Sequence, residues 1–203
     1  MRTKLVNDVM RIGESLGFDT KHASHVRAVA LELFDQLQDL HRMGNTEKLW
    51  LQIAALLHDV GKVKNRRNHH KFARDFIADC SFLPFGKKEK QLIGLIARYH
   101  RGPLPTEKHK YFGNLDHESK KYVAELASIL RIADGLGGGI SKIRNIFCNI
   151  QDSEVIVNLN CTKLINLGKV LKKAELFEDV FGKSLVFNMQ ITDHSAEKAI
   201  INN

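Results

Sequence analysis

The stretch Ile53–His70, IAALLHDVGKVKNRRNHH, decides how the rest of the chain is read. It begins as an apolar helix, turns into His58-Asp59, passes Gly61 and runs through Lys62, Lys64, Arg66 and Arg67 into His69-His70. A helix that buries leucines does not give core-facing turns to a histidine and an acid without a reason. Neighbouring helix residues point about 100° apart, so the pair converges only on something lying between its two directions. A metal ion is such a thing. Imidazole nitrogen and carboxylate oxygen form a mixed donor set suited to iron, manganese, zinc and similar ions.

Working outward, three more helices place a histidine or an acid where their apolar stripe calls for a hydrophobe. Asp19-Thr20 can cap HASHVRAVALELFDQL, whose stripe is Val26, Val29, Ala30, Leu33 and Leu37; His22 begins it, four residues before Val26. Asn45-Thr46 can cap EKLWLQIAALLHDV, which Gly61 stops. HKFARDFIADC is a short third helix. KKEKQLIGLIARYH follows, with Leu92, Ile93 and Ile96 on one face and His100 four after Ile96; Arg101-Gly102-Pro103 ends it. TEKHKYFGNL reads as a polar loop, a candidate lid over a site. DHESKKYVAELASILRIAD turns Val123, Leu126, Ala127 and Leu130 inward, and Asp134 comes four after Leu130. A carboxylate there faces the negative end of the helix dipole and is costly to bury unpaired, so something positive should sit beside it.

Composition shifts after the glycines of Gly135–Gly139, which can end that helix. KIRNIFCNI and EVIVNLNC are β-rich runs around a Gln151-Asp152-Ser153 turn, LGKVLKKAELFEDVFGK reads as one amphipathic helix, and SLVFNMQI as a third strand. The expected fold is therefore mainly α: a helical bundle over residues 1–140 and a small α/β appendage (hairpin, helix, strand) over 141–203, with the last ten residues frayed. Trp50, Phe34, Phe76, Phe82, Phe85 and Phe177 are core candidates.

The 203 residues are 43% hydrophobic, enough for a packed core. No apolar run approaches the roughly 18 residues of a membrane span, and the charged N-terminus shows no signal core. Cys80, Cys148 and Cys161 lack CxxC spacing, which argues for a reduced, cytoplasmic protein and against a cysteine zinc site. A net charge of +8 favours anionic partners: phosphorylated small molecules, polyphosphate or nucleic acid.

The order His22, His58-Asp59, Asp134 resembles the HD superfamily of metal-dependent phosphohydrolases. That resemblance implies an HD-domain helical bundle in which those four residues bind a metal. HDVGK is similar to the superfamily's commoner HD-IGK form, in which the lysine often faces substrate phosphate. Two-metal members add histidines between the HD pair and the last Asp; His69 and His100 match best, with His70 as the alternative to His69. HASHV, HHKFA, LIARYHRGPLP and KKAELFEDVFGKSLVF further resemble the C-terminal HD region of exopolyphosphatase/guanosine-pentaphosphatase (Ppx/GppA) proteins, over about residues 15 to 190. The related stretch usually reads closer to HHKHS; here Phe72 and Ala73 replace its last two residues. The family's N-terminal actin-like catalytic domain is absent from this sequence, so the exopolyphosphatase activity of the long proteins does not transfer.

The expected metal ligands are thus His22, His58, Asp59 and Asp134, with His69 and His100 for a second ion bridged by Asp59. One or two divalent ions (Mn, Fe, Zn, Ni or Co, or Mg) are implied. Asp59 and Lys62 are the candidate catalytic residues. Lys62, Arg66, Arg67, Arg101 and Arg131 are candidate phosphate binders, since lysine supplies a point charge and arginine a fork. His25 either orients His22 or packs; His109, His117 and His194 read as surface residues. The expected function is hydrolysis of a phosphate ester, nucleotide or pyrophosphate-type anion. The alternative is a non-catalytic module binding polyphosphate, a nucleotide or RNA. Apolar surface in the appendage is compatible with a homodimer.

Overall fold

The structure, a computed structural model, describes residues 2–137 and 142–192. Ten helices precede or interrupt three strands: α1 Arg2–Ser15, α2 Thr20–Gln36, α3 Gln38–His41, α4 Asn45–Leu57, α5 His69–Asp79, α6 Lys87–Arg98, α7 Lys110–Gly113, α8 His117–Leu136, β1 Ile143–Ile150, β2 Glu154–Cys161, α9 Gly168–Leu171, α10 Glu175–Phe181 and β3 Ser184–Ile191. The chain is mainly helical, with a small sheet towards its C-terminal end.

Local chemistry sets where the helices start. The Asp19 carboxylate accepts the His22 N–H at 2.9 Å, an N-cap that fixes the very turn carrying His22. Asp116 caps α8 in the same way, accepting from Ser119 N–H at 2.8 Å. The start of α4 differs from expectation: Gly44 is the cap residue, and the Glu47 carboxylate reaches back to the Gly44 N–H at 2.8 Å. Helix α4 also stops at Leu57, before Gly61, and His58 to Lys64 form consecutive turns. Burying His58 at the helix end leaves its ring free of the α4 stripe.

The core is built from Val26, Ala30 and Leu33 of α2, Leu51, Ala54 and Ala55 of α4, Ile93 and Ile96 of α6, and Val123, Leu126 and Leu130 of α8, all buried. Helix α2 packs on α4 and α8, α6 on the same two, and α5 on α6. The α5–α6 contact is close because Gly94 has no side chain: a Cβ there would lie 2.7 Å from the Arg74 carbonyl oxygen. Phe34, Trp50 and Phe177 belong to this core, while Phe76 and Phe85 are half-buried against it. Phe82 is a correction: it lies outside the core, 37% exposed. The stretch 106–115 is not a simple polar loop either. It contains α7, buries Phe112, and holds His109 half-buried with Nδ1 3.0 Å from the Tyr99 hydroxyl.

The sheet order is β1-β2-β3, with β1 antiparallel and β3 parallel to β2. A parallel neighbour demands a crossover, and α9 and α10 supply it. The expected single helix over Leu167–Lys183 is instead two short ones, broken at Lys172–Ala174. Strand β2 alternates, with Val155, Val157, Leu159 and Cys161 buried. Gln36 at the end of α2 ties β1 to the helices: its amide donates to the Ile146 carbonyl and accepts the Cys148 N–H, both at 2.6 Å. One apolar cluster therefore runs from the helices into Ile146, Val155 and Phe177. The three cysteines are unpaired. The expected boundary at 140/141, Gly138-Gly139 and the last ten residues with His194 lie outside the described residues. Among those described, no helix is long and apolar enough to cross a membrane.

Candidate metal centre

Helix ends, not helix middles, build the site. His22 sits in the first turn of α2, His58 and Asp59 just past α4, His69 at the start of α5, His100 just past α6, and Asp134 in the last turn of α8. His22 Nε2 is 3.2 Å from Asp134 Oδ1 and 3.7 Å from Asp59 Oδ2. His58 Nε2 is 3.6 Å from each of the same two oxygens. Asp59 turns its other oxygen, Oδ1, towards His69 Nε2 at 3.0 Å and His100 Nε2 at 3.9 Å. One carboxylate thus faces two half-sites. The donor atoms of His22, His58 and Asp134, and those of His58, Asp59 and His100, lie within 4.8 Å of one another in each set.

Three of the imidazoles are oriented by one repeated device. His58, His69 and His100 each bring Nδ1 to the backbone carbonyl three residues earlier: Ala55 at 2.7 Å, Arg66 at 2.8 Å and Ala97 at 2.7 Å. A carbonyl only accepts, so Nδ1 carries the hydrogen and Nε2 of each neutral ring is a lone pair. Those lone pairs converge. His69 Nε2 and His100 Nε2 stand 3.3 Å apart, and the buried His58 Nε2 has no hydrogen-bond partner. Lone pairs and carboxylates facing one another repel until a proton or a cation sits among them. The donor set therefore fits a divalent ion of intermediate softness, its rings held as ligand histidines usually are by a bond to the far nitrogen.

Electrostatics point the same way. Burial pushes the Asp59 pKa up, but His69 3.0 Å away, the His58 charge and Lys62 outweigh it and hold the carboxyl well below its usual range. For Asp134, burial is likewise overcome, by the hydrogen bond to His22 and by the nearness of His58 and the charge of Lys173. His58 is drawn upward by the carboxylates against its burial. His100 is driven well below the ordinary imidazole value, first by burial and then by His58, which keeps its Nε2 lone pair open.

Lys173 is the residue that periodicity does not reveal. It lies at the break between α9 and α10, donates to the His100 carbonyl at 3.2 Å and forms an ion pair with Asp134 Oδ2. Gly135 permits this: a Cβ there would lie 2.7 Å from the Val170 Cα, so α9 could not approach α8. The only sequence signal is indirect, the demand for a cation beside Asp134.

A cleft of about 480 Å³ opens over the cluster, lined by His22, Asp134, Lys62, Lys169, Lys172 and Lys173. Lys62 also pairs with Asp59 Oδ2 at 2.6 Å. The expected arginines lie elsewhere. Arg66 is exposed and gives its carbonyl to His69 and Arg101. Arg67 lines a different groove, together with His70. Arg131 is buried and donates to the Tyr99 and Gly102 carbonyls at 3.0 and 3.3 Å, bracing α8 against the end of α6. His25 lines a hollow between α2 and β1 and makes no hydrogen bond to His22 among the described residues. His69 therefore joins the cluster and His70 does not.

The family model described as "Ppx/GppA phosphatase, domain III" matches residues 6–178.

Proposed function

Since the chain belongs to the Ppx/GppA phosphatase domain III family, we propose that it is an HD-type metal-dependent phosphohydrolase acting on a phosphate ester, nucleotide or pyrophosphate-type anion. The observation that carries this reading is the convergence of three Nδ1-anchored imidazoles, through their Nε2 atoms, on the buried Asp59 just past α4 and the half-buried Asp134 of α8. His22, His58, Asp59 and Asp134 would hold one divalent ion. Asp59 with His69 and His100 would hold a second. Bound there, such an ion lowers the pKa of a coordinated water and polarises a phosphoryl oxygen.

The chain's own residues then divide the remaining work. Asp59 links the two half-sites through its two oxygens. Asp134 would add the second negative charge that a cation requires, and Lys173, paired with it at the cleft, is placed to meet phosphate oxygens. Lys62, Lys169, Lys172 and Lys173 gather the phosphates in the cleft, and the same charges offset negative charge developing in the transition state. Elemental analysis of the purified protein, with a panel of phosphomonoester, nucleotide and pyrophosphate substrates, tests the reading. At least one tightly held transition metal per chain with turnover is the expected result; a metal-free protein with no turnover after metal addition would end it.

One observation favours a second reading. Each acid already has a lysine: Lys62 on Asp59 and Lys173 on Asp134. In that reading the ammonium groups supply the compensating charge, and the chain binds polyphosphate, a nucleotide or RNA without cleaving it. Salt-sensitive polyanion binding by metal-free protein, with no turnover, identifies it.

A further inference from the structure

On the far side of α5 and α6 from the cluster lies a groove of about 580 Å³. Its basic lining consists of Arg67, Lys71, Arg74, Arg98, Lys108 and Lys110 with His70 and His109, and among the described residues no Asp or Glu lines it. Arg74 is already paired, to Asp75 at 2.6 Å, and its guanidinium lies 4.5 Å from the centre of the Tyr111 ring. Arg98 is different. It is only 7% exposed, and among the described residues it forms no ion pair. Its Nη1 is buried without a hydrogen-bond partner. The 6% exposed His70 beside it likewise has an unpartnered Nδ1.

The face of the Tyr99 ring, 5.3 Å from the Arg98 guanidinium carbon, offsets its charge in part, but a buried guanidinium that faces no acid is still costly. Here its neighbours are further cations, which add repulsion. An anion in the groove would complete both unpartnered groups and lower that cost. The fork of Arg98 matches an oxyanion, and the exposed lysines around it suit a ligand carrying several negative charges. The groove is separate from the cleft over the cluster, which His22, Asp134 and the lysines of α9 and its flank line. The rings of His69 and His70 are 5.8 Å apart, centre to centre, yet His70 lines this groove while His69 faces Asp59.

We propose that this groove is a second anion-binding site, taking a chain of phosphates through Arg98, Lys71, Lys108 and Lys110 independently of any metal. It does not rest on the hydrolase reading.

The test uses the full chain, treated with chelator, and inorganic tripolyphosphate as the probe. Calorimetric titration is done in a Lys62→Met/Lys173→Met background, which removes two cations of the other cleft. About one equivalent should still bind there. Adding Lys71→Glu and Lys108→Glu, both at exposed positions, should weaken that binding at least tenfold. Loss of all binding in the background variant, or indifference to the two charge reversals, overturns the proposal. Thermal melts give a second readout: tripolyphosphate should raise the melting temperature of the Lys62→Met/Lys173→Met chain, and adding Arg98→Gln should abolish the rise. An undiminished rise in Arg98→Gln also overturns it. A nucleoside triphosphate titrated alongside separates the sources. Equal affinity assigns the site to the phosphates alone, whereas tighter binding that is lost in Tyr111→Ala assigns it to a nucleotide.

Discussion

His69 and His70 are consecutive residues in the first turn of α5, and both are buried. His69 faces Asp59 at 3.0 Å and the lone pair of His100 at 3.3 Å. His70 faces Arg98, Lys71 and a groove that no Asp or Glu lines among the described residues, and its pKa is pushed down to about 4, first by burial and then by Arg98 and its cationic neighbours. The two rings have the same chemistry and almost the same depth. Their roles diverge because carboxylates stand on one side and guanidinium and ammonium groups on the other. What a buried imidazole can do is thus set by the sign of the charge around it. A cation fits on the first side and an anion on the second.

The strongest way to break this comparison is to remove the shared acid. Asp59→Ala takes both half-sites' common oxygen donor away, leaving His69 and His100 with no carboxylate and His22 and His58 with Asp134 alone. Metal content and phosphohydrolase turnover should both vanish, as read by elemental analysis and a substrate assay. Tripolyphosphate binding in the groove should persist. Full activity in Asp59→Ala would refute the mechanism.

The next largest effect comes from the cation of the cluster. Lys173→Met should leave metal bound, because His22 and His58 remain against Asp134 and the competing ammonium is gone. Substrate affinity should fall by roughly ten- to a hundredfold, the loss expected for one charge-assisted bond of about 1.5–3 kcal/mol. Steady-state kinetics with metal analysis on the same sample reads both. If metal affinity collapses instead, Lys173 holds the site together rather than serving the ligand. A gentler version moves the lysine without deleting it. Gly135→Ala places a Cβ against the Val170 backbone. Overpacking of this kind costs about 1–3 kcal/mol, which should appear as a lower melting temperature with a raised KM and unchanged metal content.

These effects also mark how far the sequence carries. His22, His58, Asp59, His100 and Asp134 stand out because each interrupts or ends an apolar stripe, and a stripe is legible from spacing alone. The boundaries of β2 and β3 were legible for a similar reason, strict alternation between turn residues. Lys173 was not, since it sits in a break that splits an amphipathic run, and a broken helix has the same hydrophobic period as a whole one. Arg131 misleads in the opposite way: one turn before Asp134 it reads as a phosphate ligand, yet its helix face turns it to the Tyr99 carbonyl. Arg98 stands two residues before His100 with nothing in its spacing to mark it, and only packing shows that it is buried without an acid beside it.

A second acid on α8 sharpens the comparison by isolating burial. Glu125 is buried where Asp134 is half-buried, but among the described residues its one ion-pair neighbour is Lys121, 3.9 Å away, and one carboxylate oxygen has no partner. Its pKa is pushed up to about 7 by burial, with Lys121 pulling weakly the other way. The folded-state value lies above the unfolded value near 4.5. Between these two the folded chain holds the extra proton, so stability falls as pH rises through about 4.5 to 7, and the full cost is present above that window. The shift corresponds to an upper bound of about 3 kcal/mol. Glu125→Gln removes the charge and keeps the shape. At pH 8 it should therefore stabilise the fold by about 1–3 kcal/mol, and near pH 5 by much less, as read by thermal or denaturant unfolding at the two pH values. Equal gains at both would mean that Glu125 is not paying for its charge at all, and that burial alone does not distinguish it from the partnered acid two and a half turns further along the helix.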